Sequence, residues 1–412
     1  MPEGDLLKTA AVLTIGSEIV EGIILNTNAQ YVCQKLTENG YKPIKVVSVD
    51  DDECSIKEEV QRLLKSCDLL ILCGGLGPTE DDKTREAVAK ALSKRLILDE
   101  QIKKRIYDRV SRYYSSLPRN LERQAFVIED AQIIPNPVGT APGQLIDFEG
   151  KKIVLLPGPP QEMKPMFDSV LEKLKIEQDV KTIKMLFFAV PESVLDQFIT
   201  DASVKSCVKI ATQASFSEGV WVRLTAPLDC FAEAQNLAQT LVEKFQRNFV
   251  GFGDTSVEKT LFEELKKRNL TFSVAESCTG GLVSAKIVSV PGASRVFVGG
   301  VVAYDNGVKM RMLNVREETL KRFGAVSEQC VVEMARGIKE LTHSDLAVSV
   351  SGIAGPTGGT QEKPVGTAYL CVTDGKTDSV EKIFYPQERN IFRSRIATHA
   401  LYLLLVRVRG MI

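Results

Sequence analysis

The sequence predicts an α/β protein of several folded units, with a mostly parallel sheet at its N-terminal end. Three observations point there. Short β-branched runs alternate with amphipathic helical stretches in the order βαβαβα. That order requires a parallel sheet with helices on both faces, three layers in all, joined by right-handed crossovers. The chain has 412 residues, more than one ordinary domain, and 44% of them are hydrophobic, enough for two or three cores. Finally, the pattern changes character near Asp179 and starts afresh at Val257.

The elements follow in order. AAVLTIG reads as a strand, NTNAQYVCQKLTENG as a helix, KPIKVVSV as a strand, CSIKEEVQRLLKS as a helix, CDLLILCGG as a strand and DDKTREAVAKALS as a helix. Ligands of such sheets sit beyond the C-terminal strand ends, where the loops GSE and GGLGPTEDD both fall. GQLIDFEGKKIVLLP reads as a hairpin turning at Glu149 and Gly150, and PGPPQEMKPMF opens a helix ending near Leu174, which closes a domain over 1–174. A smaller βαββα unit follows (KTIKMLFFAV, ESVLDQFITDA, KIATQAS, GVWVRLTAP, FAEAQNLAQTLVEKFQRN), without a cluster of reactive residues, and reads as an α+β connector over 175–253. The third unit, 254–412, begins with the helix VEKTLFEELKKRN and the strand LTFSVAES. Strands at SRVFVGGVVAY, DLAVSVSG and GTAYLCVTD and a terminal helix from Asn390 to Val408 make it α/β again.

Composition removes several function classes. Net charge is −1 and the isoelectric point is near 6.3, so bulk electrostatics call for neither nucleic acid nor an anionic membrane. The N-terminus lacks a signal peptide's basic start and apolar run, and no stretch approaches the roughly 20 apolar residues a membrane helix needs. A soluble, cytoplasmic protein is expected. Nine cysteines without a C-x-x-C pair suggest neither a disulfide framework nor a zinc cage. Only His343 and His399 exist, so acid–base chemistry must run on Lys, Tyr, Asp or Glu.

In the C-terminal unit, AESCTGG places Glu276, Ser277 and Thr279 at a strand-to-helix turn, with Gly280 and Gly281 clearing the helix start. The free N–H groups there favour an oxyanion or phosphate, and Ser277 is either a nucleophile or a plain helix cap. GGVVAYDNGVKMRML delivers Tyr304 at a strand end, with Lys309 following. A partly desolvated lysine beside a serine can act as its base and a tyrosine hydroxyl can relay the proton; which of the two is the base stays open. VSVSGIAGPTGG ends a strand at Ser351 and Gly352 and continues into a glycine-rich loop, a clamp for phosphate or ribose, or simply a hairpin.

AESCTGG, PGAS, GGVVAY with a lysine five positions after its tyrosine, GAVS, SGIAGPTGG and KPVGTAY, in this order, resemble the C-terminal domain of the CinA family, whose members include nicotinamide mononucleotide deamidases. The resemblance implies a catalytic set of Ser277, Tyr304 and Lys309 needing no cofactor. Around it, Glu276, Thr279, Gly280, Gly281, Ser351 and Gly352 form the substrate side, and Arg393 of RNIFR is a substrate-phosphate contact.

GSEIVEG, NTN, GGLGPTEDDKT, PNPVGTAPG and LPGPPQEM resemble the other half of the same family, a molybdopterin-binding-like domain. It implies an ADP-ribose pyrophosphatase that uses a divalent cation of the Mg, Mn or Co type and gives AMP and ribose 5-phosphate. The implied metal side is Asp82, in a D-x-T signature, with Asp51, Asp81 and Glu18; Gly74, Gly75, Gly77, Thr79, Pro159 and Glu162 line the substrate. Ser17 and Asn26 stand where that family more often carries acids, so a metal site relying on them would be weakened. A homodimer is expected from the edge strands and the resemblance. The competing readings are a first domain that binds without turnover, or a scaffold in DNA uptake; the absence of a basic block argues against DNA contact.

Overall fold

The computed structural model describes residues 8–112, 118–174, 180–202 and 207–412. The contacts divide the chain into two compact units that meet between Asp179 and Val180.

The first unit holds β1 (Thr9–Ile15), α1 (Ser17–Val20), α2 (Thr27–Glu38), β2 (Lys42–Val49), α3 (Glu53–Leu64), β3 (Leu69–Cys73) and α4 (Thr84–Ala91). It continues with β4 (Leu96–Leu98), α5 (Glu100–Val110), β5 (Phe126–Ile128), β6 (Gln132–Ile134), β7 (Gly143–Phe148), β8 (Lys151–Leu156) and α6 (Pro160–Lys173). The sheet order is β2-β1-β3-β8-β7-β6. β1 runs parallel to β2 and β3, and β3 parallel to β8, whereas β7 and β6 are antiparallel. Alternate residues of β1 feed opposite cores, Ala11, Leu13 and Ile15 packing toward α3 and α4 and Ala10 and Val12 toward α2 and α6, as a strand's two-residue period requires. The expected three layers are present, and the hairpin turns at Glu149 and Gly150, both with positive φ. Residues 93–142, which the strand–helix alternation left unassigned, hold α5 and the short β4–β5 ladder. Asp99 caps α5 by accepting from the Gln101 and Ile102 N–H groups.

The second unit opens with β9 (Val180–Phe187), α7 (Glu192–Asp201), β10 (Lys209–Ser215), β11 (Gly219–Pro227), α8 (Phe231–Lys244) and β12 (Phe249–Phe252). Its sheet, β10-β11-β9-β12, is antiparallel throughout, a ferredoxin-like βαββαβ arrangement whose last strand the sequence reading missed. This module has its own core, but Leu186, Phe188 and Val250 join the core of the following domain. It therefore packs as one unit with that domain. The expected boundary falls on 175–179, outside the described residues. Among the described residues Cys207 and Cys230 form a disulfide, a single bridge where the sequence suggested no disulfide framework. Cys207 precedes β10 and Cys230 follows β11, and the pairing of Lys209 with Thr225 brings those hairpin ends together. A separation of 23 residues carries no sequence signature for it.

The remainder comprises α9 (Val257–Arg268), β13 (Phe272–Glu276), α10 (Leu282–Val288), β14 (Phe297–Val302), α11 (Asn306–Leu313), α12 (Glu317–Phe323), α13 (Glu328–Thr342), β15 (Leu346–Gly352), β16 (Thr367–Thr373), β17 (Asp378–Phe384) and α14 (Arg389–Val408). β13 lies between β14 and β15, parallel to both, and β16 and β17 extend the sheet antiparallel. The second half of α14 runs through the core, with Ile396, Leu401 and Leu404 fully buried, as is Phe392 in its first turn. Each such side chain contributes about 1.5–3 kcal/mol. Among the described residues no helix is long and apolar enough to cross a membrane.

Candidate functional site

Three adjacent strand ends build the C-terminal site. The Ser277 N–H donates to the Val350 carbonyl at 3.0 Å and the Ala303 N–H to the Glu276 carbonyl at 2.8 Å. Ser277, the Ala303–Tyr304 step and Ser351 therefore stand side by side at the C-terminal edge of β13, β14 and β15, where parallel sheets place ligands.

Glu276 is fully buried, and its carboxylate accepts from the N–H groups of Gly281, Val283 and Ser284 and from the Ser284 hydroxyl, at 2.7–3.1 Å. The start of α10 is thus filled by the protein's own anion, the arrangement a helix N-terminus favours. This corrects one expectation, since Glu276 organises the turn instead of facing a substrate; of the N–H groups near Thr279 and Gly280 expected to hold an oxyanion, that of Gly280 donates to the Ser277 carbonyl. Gly280 and Gly281 lie before the helix with φ of 60° and 96°, a conformation that suits glycine. The Thr279 hydroxyl is buried without a partner.

Lys309 is 1% exposed, and its Nζ donates to the Tyr304 carbonyl at 2.9 Å. Burial holds its amine below the ordinary lysine value, opposed by Cys330, Asp305 and Cys278. The Cys278 thiol, next to Ser277, is pushed by burial up to about 12 and stays protonated. Tyr304 is 63% exposed, and its hydroxyl meets Arg389 Nη2 at 3.4 Å; Lys309 is reached by its backbone instead. Arg389 also donates to the Gly355 carbonyl at 2.6 Å, tying Tyr304 to the glycine-rich loop. The sequence reading passed over Arg389, whose only signal was its place one turn before Arg393. Arg393 donates to the Cys278 and Thr279 carbonyls at 3.1 and 2.9 Å, so it clamps the Ser277 turn rather than standing free for a phosphate. Ser351 is buried and donates to the Ala325 carbonyl at 2.7 Å. A Cβ on Gly352 would press on Cys278 Sγ at 3.0 Å. Both residues pack the site from behind.

In the first unit, every residue the sequence singled out lines one cleft of about 450 Å³: Glu18, Asp51, Gly74, Gly75, Gly77, Thr79, Asp81, Asp82, Pro159 and Glu162. It lies beyond the ends of β1, β2, β3 and β8. Asp82 accepts from the Gly77 N–H at 2.7 Å and from the Thr79 N–H and hydroxyl at 2.8 and 2.5 Å. It closes the glycine loop instead of capping α4. Thr84 donates to the Gly74 carbonyl, and Arg85, 1% exposed, donates to those of Leu76 and Gly77 at 2.8 and 3.0 Å. A cation in the first turn of a helix opposes the dipole; that anomaly was the signal by which Arg85 might have been found. Glu162 accepts from Asn136 at 2.7 Å. Asp51 accepts from the Ser17 N–H and hydroxyl at 2.9 and 3.0 Å, and Asn26 caps α2 by accepting from Ala29. Ser17 thus gives Asp51 a donor where an acid would repel it.

Among the described residues no three Asp, Glu, His or Cys side chains converge into a metal cage. A magnesium-type ion needs none, because it is commonly held by one or two carboxylates, waters and the phosphates of its substrate, and the carboxylates of this cleft suit that mode. At Gly74, φ is 115° and an added Cβ would run into the Ile15 carbonyl. Gly74→Ala is expected to cost upward of about 2 kcal/mol in urea unfolding; a change within about 0.5 kcal/mol would contradict this account of the cleft floor.

Comparison with known proteins gives the context. Residues 254–408 match the sequence profile of the CinA C-terminal domain, and residues 11–176 that of a probable molybdopterin binding domain. A CinA-like protein of Pseudothermotoga lettingae is 51% identical over 97% of this chain and 98% of its own length. The chain belongs to the CinA family. A CinA-like protein of Thermotoga maritima is 46% identical over 98% of this chain and 99% of its own. The crystal structure of a CinA protein of unknown function from Thermoplasma acidophilum is 36% identical, spans 41% of this chain and all of that one, and has a TM-score of 0.39. The first unit of this CinA chain is accordingly a molybdopterin-binding-like domain, and the family is consistent with an enzyme.

Proposed function

We propose that this CinA chain is a bifunctional hydrolase of pyridine-nucleotide salvage, its C-terminal domain deamidating nicotinamide mononucleotide and its N-terminal domain splitting ADP-ribose. The observation that carries the first activity is Lys309, a buried amine beside the Ser277 turn with its ordinary pKa lowered by burial and so suited to act as a neutral base. In this reading Lys309 takes the Ser277 proton as Oγ attacks the carboxamide carbon. It returns the proton to the departing nitrogen, which leaves as ammonia. Water then hydrolyses the acyl-serine to the carboxylate, Lys309 accepting the water's proton and returning it to Ser277 Oγ as that oxygen leaves. Tyr304 and Arg389 face the substrate at the glycine-rich loop, with Arg389 taking the phosphate role first expected of Arg393.

For the N-terminal domain, the support is one cleft combining a backbone-accessible glycine loop with the carboxylates of Glu18, Asp51 and Asp81. A bound divalent cation would supply charge neutralisation of the diphosphate. The exposed Val298 and Val302 on edge strand β14 support the homodimer that belongs to this reading.

The test is ammonia release from nicotinamide mononucleotide by the full chain in excess chelator, which should proceed. AMP release from ADP-ribose should need added Mg²⁺ and fall on the order of 10²-fold or more in Asp82→Ala, with the amidase rate retained. Chelator-sensitive amidase, or metal-independent AMP release, would count against the respective half.

A further inference from the structure

The ferredoxin-like module and the C-terminal domain meet along a seam that shuts one titratable side chain away from water. His399 of α14 is 2% exposed, and neither ring nitrogen has a hydrogen-bond partner among the described residues. Three rings enclose it, with centroids 5.5 Å away for Phe188, 5.5 Å for Tyr402 and 6.4 Å for Tyr385. Phe188 belongs to the module. Its N–H donates to the Asn248 carbonyl at 2.8 Å, and the Asn248 side chain donates to the Phe188 and Ala189 carbonyls at 3.0 Å. Tyr402 ties α14 to the same strip by donating to the Arg247 carbonyl at 2.9 Å. The charges around the imidazole are mixed. From β17, Glu381 Oε2 stands 3.5 Å from His399 Nε2 and 3.8 Å from Arg247 Nη2. From α14, Arg395 lies over the Phe188 and Tyr385 rings at 4.1 and 5.2 Å and donates to the Phe216 carbonyl at the β10–β11 turn. One carboxylate thus faces two guanidiniums, and an imidazolium here would be a third cation taken out of water. Burial holds the ring below the ordinary histidine value, with Glu381 opposing that shift and Arg395 and Arg247 adding to it.

We infer that His399 is an acid-sensitive lock on this seam: the neutral ring lets Phe188 and the Arg247–Val250 strip pack on α14, and the imidazolium releases them. A released seam holds the ring in water, where it takes up a proton below about pH 6.5. The packed seam refuses that proton until a lower pH. Between the two values the released form binds more protons, so each pH unit of acidification favours release by about tenfold. The one other histidine, His343, is exposed at the end of α13 and pays no such penalty. α14 also carries Arg393 at the Ser277 turn, so the seam and the candidate site share one element.

The experiment is amide hydrogen exchange of the full chain between about pH 7.5 and about pH 5.5, corrected for the intrinsic rate, with the emission of Trp221 recorded alongside. Trp221 is the sole tryptophan and packs against the core that the module shares with the C-terminal domain. Protection of the segments around Phe188 and Asn248 should fall by about tenfold over that range while β13 and β15 stay protected, and the Trp221 emission should move to the red in step. His399→Phe should abolish both changes, which separates them from any titration of Lys309. Glu381→Gln removes the one carboxylate that favours the imidazolium, so its fall should be at least as large; this variant carries the test if His399→Phe does not fold. Constant protection in wild type would overturn the proposal, as would an equal loss in β13 and β15, a fall that survives in His399→Phe, or one that Glu381→Gln abolishes.

Discussion

Lys309→Met is expected to remove the amidase activity by on the order of 10³-fold or more while leaving the protein at least as stable as before. The side chain is 1% exposed and its Nζ has a single neutral acceptor, the Tyr304 carbonyl. A protonated amine there would be a buried charge without a carboxylate, and burial correspondingly lowers its pKa from 10.5. The unfolded chain holds that proton up to about pH 10.5, whereas the native state releases it lower. Between those two values the unfolded state binds more protons, so stability rises with pH. Below the native value both states are protonated and the penalty for burying the charge is complete. Methionine has similar volume and no charge, so the variant should gain about 1 kcal/mol near neutral pH and lose the pH slope. Urea midpoints across pH measure this, and ammonia release measures activity; the wild-type rate should climb through an acid limb below the ordinary lysine range. A variant that keeps its rate would remove Lys309 as base. Ser277→Ala should match it in lost activity but not in the stability profile.

The second large effect is expected at Glu276, in the opposite direction for stability. Glu276→Ala strips the acceptor from one buried and two part-buried N–H groups and from the Ser284 hydroxyl, and should cost about 3–5 kcal/mol. With the carboxylate gone, the N–H groups of Gly281, Val283 and Ser284 lose their acceptor, so the Ser277 turn should loosen and amidase activity fall with it. Glu276→Gln keeps the shape but turns an NH₂ toward N–H donors, an intermediate loss of about 1–3 kcal/mol. Denaturant unfolding of both variants beside the kcat of each decides it. Glu276→Ala within about 1 kcal/mol of wild type would return the carboxylate to the substrate side.

The order of strands and helices in the first unit was legible because a parallel sheet buried on both faces writes continuous apolar runs, such as LLILC in β3. Strands without such runs were not legible: β12 and β17 depend on neighbours for their pairing.

At the sites, the sequence by itself determined which residues gather, because strand ends of one parallel sheet share one edge: Ser277, Tyr304 and Ser351 in one domain, Glu18, Asp51 and the Gly74–Asp82 loop in the other. It also determined that histidine chemistry had little material, and His399 lies in an aromatic core against Phe188, Tyr385 and Tyr402. Only the tertiary structure decided what each side chain does there. Glu276, Arg393, Ser351 and Asp82 all proved to bind backbone, and Arg389 proved to join Tyr304 to the glycine-rich loop. The physical reason is that a buried polar group must be satisfied. Whether its partner is a neighbouring N–H or a substrate atom depends on distances of a few tenths of an ångström between segments far apart in the chain, which spacing along a sequence does not encode.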